Sequence, residues 1–235
     1  MSTLLLRLAS PLQSWGINAK FDRRGTHPMP TKSGVIGMVA AAMGRRRNES
    51  VDDLNHIIFG VRIDKKGQLL RDYHTAKSRK SAYVTHRYYL SDAVFLVGLE
   101  GDERLLNEID NAIQNPVFPL FLGRRSCPPE GQLSLGVRLG KTLEEALREE
   151  GWLLSEWMRR KEEGRVRLPI IVEGGKETDG AGFQKDNPIS FDQCHRQFGY
   201  RKVIELEPKW VTNENSWKTR AENTAHDPMQ AMEER

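Results

Sequence analysis

Cysteine and long apolar runs are both scarce in this 235-residue chain, and each scarcity excludes a class of protein. The two cysteines, Cys127 and Cys194, are too few for a disulfide framework and too far apart for a paired-ligand zinc site. The longest uncharged apolar stretch, residues 35–43, is too short to span a bilayer. The first ten residues lack the charged front and cleavage site of a signal peptide. We therefore expect a cytoplasmic protein with no metal and no cofactor.

Acidic residues are scarce in the first ninety positions, where sixteen Lys and Arg stand against six Asp and Glu. The rest of the chain carries twenty basic and twenty-six acidic side chains, so the net charge of +4 conceals a basic first part and an acidic second part. A basic segment attracts polyanions, although basic residues alone are equally compatible with a solvated face.

Apolar periodicity predicts an α+β fold in the first half of the chain. Alternating leucines over residues 4–8 and the run 93–99 predict strands, and residues 31–43 and 102–114 predict helices. Residues 57–63 and 68–76 are predicted to pair as a hairpin around the turn sequence DKKG. The order βαββ followed by βα is typical of the ferredoxin-like split βαβ unit found in RNA-recognition modules.

The second half is richer in proline and glycine at its start. Residues 133–139 predict a strand, Thr142 and Glu145 form a capping-box pattern before a helix, and residues 166–207 offer two more strands. We therefore divide the chain into a ferredoxin-like part (1–140), a helical and mostly β region packed on it (141–208), and a polar tail (209–235) with a short helix after Pro228.

Residues 65–90 interleave cations with aromatic side chains. The segment holds seven Lys and Arg, a single acidic residue, Asp72, and four of the chain's five tyrosines. Single-stranded nucleic acids bind such surfaces because Lys and Arg meet phosphates while tyrosine rings stack on bases. The alternative is a tyrosine-rich hairpin that packs on its own sheet, with Tyr88 and Tyr89 as its core members.

Two shorter clusters also suit an anion. The sequence PTKSG at 30–34 lacks the first glycine of a Walker A loop, which excludes nucleotide hydrolysis, but Lys32 and Ser33 begin a helix whose free N–H groups could hold an anion or simply be capped. In FLGRRSCPP at 121–129, Gly123 permits close backbone approach and Arg124 and Arg125 supply charge. This loop is either a phosphate clamp or an exposed turn.

The six histidines have no metal-binding spacing. His74 lies beside Tyr73 and three residues before Lys77, so these side chains could serve as general acid and base in metal-independent RNA cleavage. A base-stacking or structural histidine is the alternative reading of His74.

Four segments together resemble a known family: LLLRLASPLQSWG (4–16), HPMPTKSGVIGMVAAAMGR (27–45), RDYHTA (71–76) and FLGRRSCPP (121–129). They are similar to the Cas-five family of the RAMP superfamily, and in particular to its members in type I-E CRISPR Cascade complexes. The resemblance implies a modified ferredoxin-like palm with a β-hairpin thumb. It also implies a binding subunit, without nuclease activity, that caps the 5′ handle of the CRISPR RNA.

Carried onto this sequence, the resemblance gives a thumb within residues 76–92 and an RNA-facing edge that begins at residues 13–16. It implies CRISPR RNA, a Cascade backbone subunit and the large subunit as partners, target DNA as an indirect partner, and no membrane. The expected RNA-binding residues are Gln13, Ser14, Trp15, Lys32, Ser33, Arg71, Tyr73, His74, Lys77, Arg79, Lys80, Tyr83, Arg87, Gly123, Arg124 and Arg125.

A second function stays open at this point. Relatives in another CRISPR subtype are endoribonucleases that use Tyr, Lys and His, and Tyr73, His74 and Lys77 supply the same residue types. Metal-independent processing of CRISPR RNA precursors is therefore the alternative to RNA binding alone.

Overall fold

A computed structural model describes residues 1–16, 23–77, 81–175 and 181–218. The strands are β1 (Ser2–Ala9), β2 (Leu12–Gln13), β3 (Arg23–Arg24), β4 (Ile58–Lys65), β5 (Gln68–Lys77), β6 (Ala82–Ser91), β7 (Val94–Gly101), β8 (Ser134–Arg138), β9 (Arg165–Glu173), β10 (Gly182–Ser190) and β11 (Gln197–Thr212). The helices are α1 (Lys32–Ala42), α2 (Asp52–Asn55), α3 (Glu103–Gln114), α4 (Leu143–Glu149) and α5 (Glu156–Arg159).

The centre of the fold is a seven-stranded sheet in the order β10-β11-β9-β4-β7-β1-β8, in which every neighbouring pair is antiparallel. Its part β4-β7-β1-β8, with α1 and α3 in the connections, has the strand order of the ferredoxin-like fold. The α+β fold class and the modified ferredoxin-like palm are thereby confirmed. The strands β9, β10 and β11 widen the sheet beyond this unit.

The central strand β1 is buried on both faces. Leu4, Leu6 and Leu8 belong to the large core that includes α1 and α3, whereas Leu5 belongs to a second core formed with α4. The close packing of α4 depends on missing side chains, because a Cβ at Gly98 would lie 2.4 Å from Leu143 Cδ1. The sheet therefore carries helices on both faces near its middle.

Polar side chains cap the starts of three helices. Thr31 caps α1 by accepting a hydrogen bond from the backbone N–H of Gly34, and Asp102 caps α3 in the same way. Thr142 and Glu145 form the predicted capping box of α4. These polar caps satisfy N–H groups that have no partner within the helix, and they set where each helix begins.

The predicted hairpin of residues 57–63 with 68–76 is wrong. β4 pairs with β7 and β9, and β5 pairs instead with β6. The reason is burial: Phe59 and Val61 are at most 1% exposed and need neighbours on both edges, whereas most residues of β5 are exposed. The observed hairpin runs from Gln68 to Ser91, so the expected range 76–92 misses most of its first strand.

Two predictions for the second half also need correction. Residues 182–190, read from sequence as a glycine-rich and Asn/Asp-rich connection, form the edge strand β10. Residues 209–212, assigned to the tail, continue β11 against β9, and Asn213 and Ser216 then bond to carbonyls of residues 159–164. The helix expected after Pro228 lies outside the described residues. Among those described, no helix is long and apolar enough to cross a membrane.

Candidate nucleic-acid interface

The loop after β1 is buried and fixes the root of the β5–β6 hairpin. Gln13, Ser14 and Trp15 are at most 1% exposed. The Gln13 side-chain amide donates to the carbonyl of Ala93 at 2.8 Å, Trp15 Nε1 donates to Gln13 Oε1 at 3.2 Å, and Ser14 Oγ donates to the carbonyl of Tyr88 at 3.1 Å. These three expected RNA-binding side chains are thus occupied within the protein, and their contribution to a surface site is to position it.

The glycine and arginine loop closes onto this buried segment. Gly123 has a φ of 86°, and a Cβ there would lie 1.7 Å from the carbonyl oxygen of Ser14. The neighbouring backbone N–H of Ser14 donates to the carbonyl of Leu122 at 3.2 Å. Only glycine fits this approach, because any side chain would collide with backbone that cannot move aside. The contact brings Arg124 against the root of the hairpin.

Arg124 joins the loop, the hairpin and β3. Its guanidinium lies over the ring of Tyr89, 4.6 Å from the centroid, and its Nη2 donates to the carbonyl of Arg24 at 2.8 Å. β3 in turn pairs in parallel with β6, with Arg23 opposite His86 and Arg24 opposite Arg87. Arginines from three separate segments therefore converge on the side of β6.

Tyr89 is the common neighbour of this group. Partial burial acts to raise the pKa of its hydroxyl. Hydrogen bonds from Arg124, Ser126 and Arg87, together with the charge of Arg124, outweigh this effect, so the pKa is lowered. A lowered tyrosine pKa reports positive charge gathered around the ring oxygen. Arg124 and Arg87 belong to this concentration of charge.

We call Arg24, Arg87 and Arg124, together with Tyr89, the arginine cluster. Two N–H groups in this cluster have no hydrogen-bond acceptor among the residues described. They are Arg87 Nε and Arg124 Nη1, and both are enclosed by the protein. An enclosed guanidinium N–H without an acceptor is costly unless a ligand supplies one. Arginine presents its donors in a fork that matches a phosphate oxygen, so this cluster is suited to a phosphate.

The hairpin carries the other expected residues on two opposite faces. Arg71, Tyr73 and His86 share one face: the Arg71 guanidinium lies within hydrogen-bonding distance of the His86 ring, and the Tyr73 ring is 5.8 Å from it. His74 lies on the opposite face and contacts the Asp72 carboxylate. Tyr73 and His74 are neighbours in the sequence, but their side chains therefore lie on opposite faces of the hairpin.

Towards its tip the hairpin becomes exposed. Lys77 is exposed at the end of β5, and Tyr83, near the start of β6, is 47% exposed. Arg79 and Lys80 lie outside the described residues. Arg125 is exposed beside Arg124. Lys77 and Tyr83 are therefore accessible near the tip of the hairpin, and Arg125 is accessible beside its root.

The anion site expected at the start of α1 is filled by the protein itself. The Asp186 carboxylate accepts a hydrogen bond from the backbone N–H of Lys32 at 2.8 Å and pairs with Arg201, and it is 1% exposed. Lys32 Nζ lies 2.9 Å from a carboxylate oxygen of Glu173; burial lowers the pKa of this ammonium, and the Glu173 charge opposes that shift. Ser33 is also buried. Lys32 therefore holds β9 and β10 to α1.

Sequence reasoning missed three residues in or beside the arginine cluster. Arg24, Tyr89 and Ser126 each touch Arg124 or share its neighbours, but none was among the expected binding residues. The consecutive arginines Arg23 and Arg24 were a visible signal in the basic first ninety residues. Tyr89 was read as a core residue, and its 4% exposure agrees with that reading although its hydroxyl faces the arginines.

Comparisons with known proteins point to one family. The family described as CRISPR-associated protein (Cas_Cas5) matches residues 3–204. The Cascade subunit CasD of Escherichia coli strain K12 is 35% identical over 159 residues, which cover 58% of this chain and 71% of that protein.

Two solved structures support the same assignment. A chain of a CRISPR RNA-guided surveillance complex is 31% identical with a TM-score of 0.75, over 94% of this chain and 98% of its own length. A crystal structure of a Cas protein is 39% identical with a TM-score of 0.68, over 91% and 97%. Because the family match extends over most of the chain and is supported by both sequence and structure, this protein belongs to the CRISPR-associated Cas5 family.

Proposed function

We propose that this chain is the subunit of a CRISPR RNA-guided Cascade complex that binds and caps the 5′ handle of the CRISPR RNA without cutting it. The observation that carries the proposal is the cluster of Arg87 and Arg124 around Tyr89, where each arginine keeps an enclosed N–H without an acceptor in the described residues. Both side chains are half-buried, so their positive charge faces a backbone phosphate that docks at the root of the hairpin. The tyrosines and cations of the hairpin would then contact bases and phosphates on either side.

The relatives support the partners that we propose. CasD is a Cascade subunit, and a similar chain belongs to an RNA-guided surveillance complex. We therefore assign CRISPR RNA, a backbone subunit and the large subunit as direct partners of this chain, and target DNA as a partner reached through the assembled complex. The projecting hairpin, with exposed Leu69, Tyr73 and Val84 on one face, offers a protein the apolar surface that a backbone subunit requires.

Cleavage is not part of the proposal. An acid and a base must reach the same scissile bond, but Tyr73 and Lys77 share one face of the hairpin and His74 lies on the other. His74 is moreover engaged with Asp72. Tyr73, His74 and Lys77 therefore do not form one catalytic site. A role in positioning RNA accounts better for these side chains.

A binding titration tests the proposal. The purified chain is titrated with repeat-derived handle RNA at several salt concentrations, as wild type and as the double variant Arg87→Ala with Arg124→Ala. Loss of one phosphate contact on a single strand should lower the salt slope by about 0.7, and affinity should fall at every salt concentration. Arg104→Ala is the matched control, because this exposed arginine of α3 lies outside the cluster.

Two results would contradict the proposal. An unchanged slope and affinity in the double variant would place the RNA elsewhere on the chain. Site-specific cleavage of repeat RNA by the wild-type chain, abolished in His74→Ala, would instead establish the processing function, since we expect the RNA to stay intact with or without divalent metal.

A further inference from the structure

The outermost strands, β10 and β11, have one face turned to α1 and another turned away from it. Gln184, Asp186 and Arg201 form the inner face, where they bond to one another and to the start of α1. Side chains alternate along a strand, so the residues between them lie on the opposite face. We call that opposite surface the outer face; its positions are Phe183 and Lys185 on β10 and Tyr200 and Lys202 on β11.

Large aromatic rings are left in solvent on the outer face. Phe183 is 72% exposed and Tyr200 is 68% exposed. The helix on this side of the sheet, α4, packs against β1, β4 and β7 near the middle of the sheet. Phe183 lies opposite Lys202, two positions from Tyr200, so the two rings share one face of adjacent strands as an exposed patch of the kind that marks an interaction surface.

The same face is basic. Lys185 Nζ lies 5.6 Å from the centre of the Tyr200 ring, and Lys202 lies directly opposite Phe183 in the pairing of the two strands. None of the four outer-face positions is acidic.

Protection of an open sheet edge does not explain this composition. A lysine on an edge strand discourages pairing with other chains, and Lys185 can serve that purpose alone. Exposed Phe183 and Tyr200 would work against it, because apolar rings on an edge favour association. Cations alternating with exposed rings are instead the pattern of surfaces that hold a single strand, with phosphates on the cations and bases stacked on the rings.

We propose that the outer face of β10 and β11 binds single-stranded DNA, with Lys185 on its phosphates and Phe183 and Tyr200 stacked on its bases. The proposal rests on the proposed function: an RNA-guided complex pairs its guide with one DNA strand and leaves the other single-stranded. The proposed site around Arg87 and Arg124 already accounts for binding of the RNA handle. Trp15, at the root of the hairpin, packs with α1, on the other side of the sheet from the outer face.

Stacking combined with lysine contacts tolerates any base sequence, which suits a displaced strand of arbitrary sequence. The test is a titration of the full chain with a labelled thymidine oligonucleotide, as wild type and as Phe183→Ala with Tyr200→Ala. We expect binding to weaken about tenfold or more in the double variant, given what stacking contributes to each base. Phe118→Ala is the matched control, because Phe118 is also an exposed aromatic residue but lies next to the end of α1.

A charge reversal provides a second variant that leaves the aromatic residues in place. Lys185→Glu should weaken thymidine binding and lower its salt dependence, whereas handle RNA should bind both outer-face variants as it binds the wild type. Equal thymidine binding by wild type and by both variants would overturn the proposal. Tighter binding of a uridine oligonucleotide at these same residues would also overturn it, because the occupant would then be RNA.

The two proposals fail in different ways. If handle RNA does not bind while the thymidine oligonucleotide still depends on Phe183 and Tyr200, the handle function fails and the outer face stands. If handle RNA and the oligonucleotide compete for one site that is lost in Arg87→Ala with Arg124→Ala, the outer face has no separate role and this inference is overturned.

Discussion

Gly123 is the residue on which the geometry of the arginine cluster depends most directly. Its positive φ and its contact with the Ser14 carbonyl bring Arg124 against Tyr89. Gly123→Ala should lower the free energy of unfolding by about 1–3 kcal/mol, and more if the Ser14 backbone cannot shift. Denaturant unfolding measures this loss, and handle-RNA binding should weaken with it because Arg124 moves.

Gly131→Ala is a matched control for that substitution. Gly131 also has a positive φ, of 68°, but the nearest atom to its added Cβ is a flexible Arg7 nitrogen at 3.5 Å. Gly131→Ala should therefore lose stability from the strained positive φ alone, without a clash against neighbouring backbone. If the two variants lose equal stability and bind RNA equally, the close approach of Gly123 to Ser14 has no role in the site.

His27 should make the fold sensitive to mild acid. Burial lowers the pKa of its ring, while the Met29 carbonyl and the charge of Asp186 oppose that shift and Arg201 reinforces it. The unfolded chain takes up a proton at this histidine near pH 6.5, and the folded chain does so only at lower pH. Below pH 6.5 the unfolded state therefore binds more protons, and the free energy of unfolding falls as the pH falls.

Melting temperatures between pH 7.5 and pH 5 measure this effect. His27→Gln should show a smaller loss of melting temperature over that range than the wild type. His195→Gln, which changes an exposed histidine between β10 and β11, is the control and should follow the wild type. A His27→Gln profile that runs parallel to the wild type would show that His27 does not contribute.

At the scale of elements, the β5–β6 hairpin has a buried root and an exposed tip. Tyr89 and Leu90 are at most 5% exposed, whereas Tyr83 and Val84 are well exposed. Replacing residues 75–84 with a short Gly-Ser turn should change the free energy of unfolding by less than about 1 kcal/mol, because surface changes cost little. Co-expression with the other subunits and CRISPR RNA should then give no stable complex, since the contacts of the tip are made only there.

Leu90→Ala is the contrasting variant at the root. It removes a buried side chain and should cost about 2–5 kcal/mol of stability. If the tip replacement unfolds the palm, the distal hairpin belongs to the core. If the complex instead assembles normally without the tip, the hairpin has no role in assembly.

The sequence predicted elements well where a single chain segment carries the signal. β1, α1, β7, α3 and α4 were all predicted because apolar spacing and caps are local properties. Strand partners are not local: β4 reads like one half of a hairpin, but its partners β7 and β9 come from later in the chain. β10 was missed because it is an edge strand with few apolar residues facing the core.

The candidate site was predicted in its composition and not in its arrangement. Arg87 and Arg124 were each identified from basic, glycine or aromatic surroundings, but nothing in the sequence shows that both reach Tyr89. Lys32 and Ser33 had the right local chemistry for an anion, and the structure fills that place with Asp186 from a strand far along the chain. Tertiary contacts of this kind are set by the packing of whole elements.

At the scale of the whole molecule, the division of charge along the chain corresponds to a division of the structure. The basic first ninety residues contribute β3, β5 and β6 around the arginine cluster, and the more acidic remainder contributes Glu173 and Asp186, which neutralise buried cations. Positive charge is therefore left where the hairpin projects. The outer face of β10 and β11 is a second and separate basic surface within the acidic part.

Mapping where the handle RNA touches the full chain tests the central claim most directly. Handle RNA with photoreactive bases is irradiated in complex with the wild-type protein, and crosslinked peptides are identified by mass spectrometry. We predict crosslinks in residues 82–91 and 121–129, which hold Arg87, Tyr89 and Arg124, and their loss in Arg87→Ala with Arg124→Ala. Crosslinks confined to residues outside both segments, or unchanged in the double variant, would contradict the assignment of the handle to the arginine cluster.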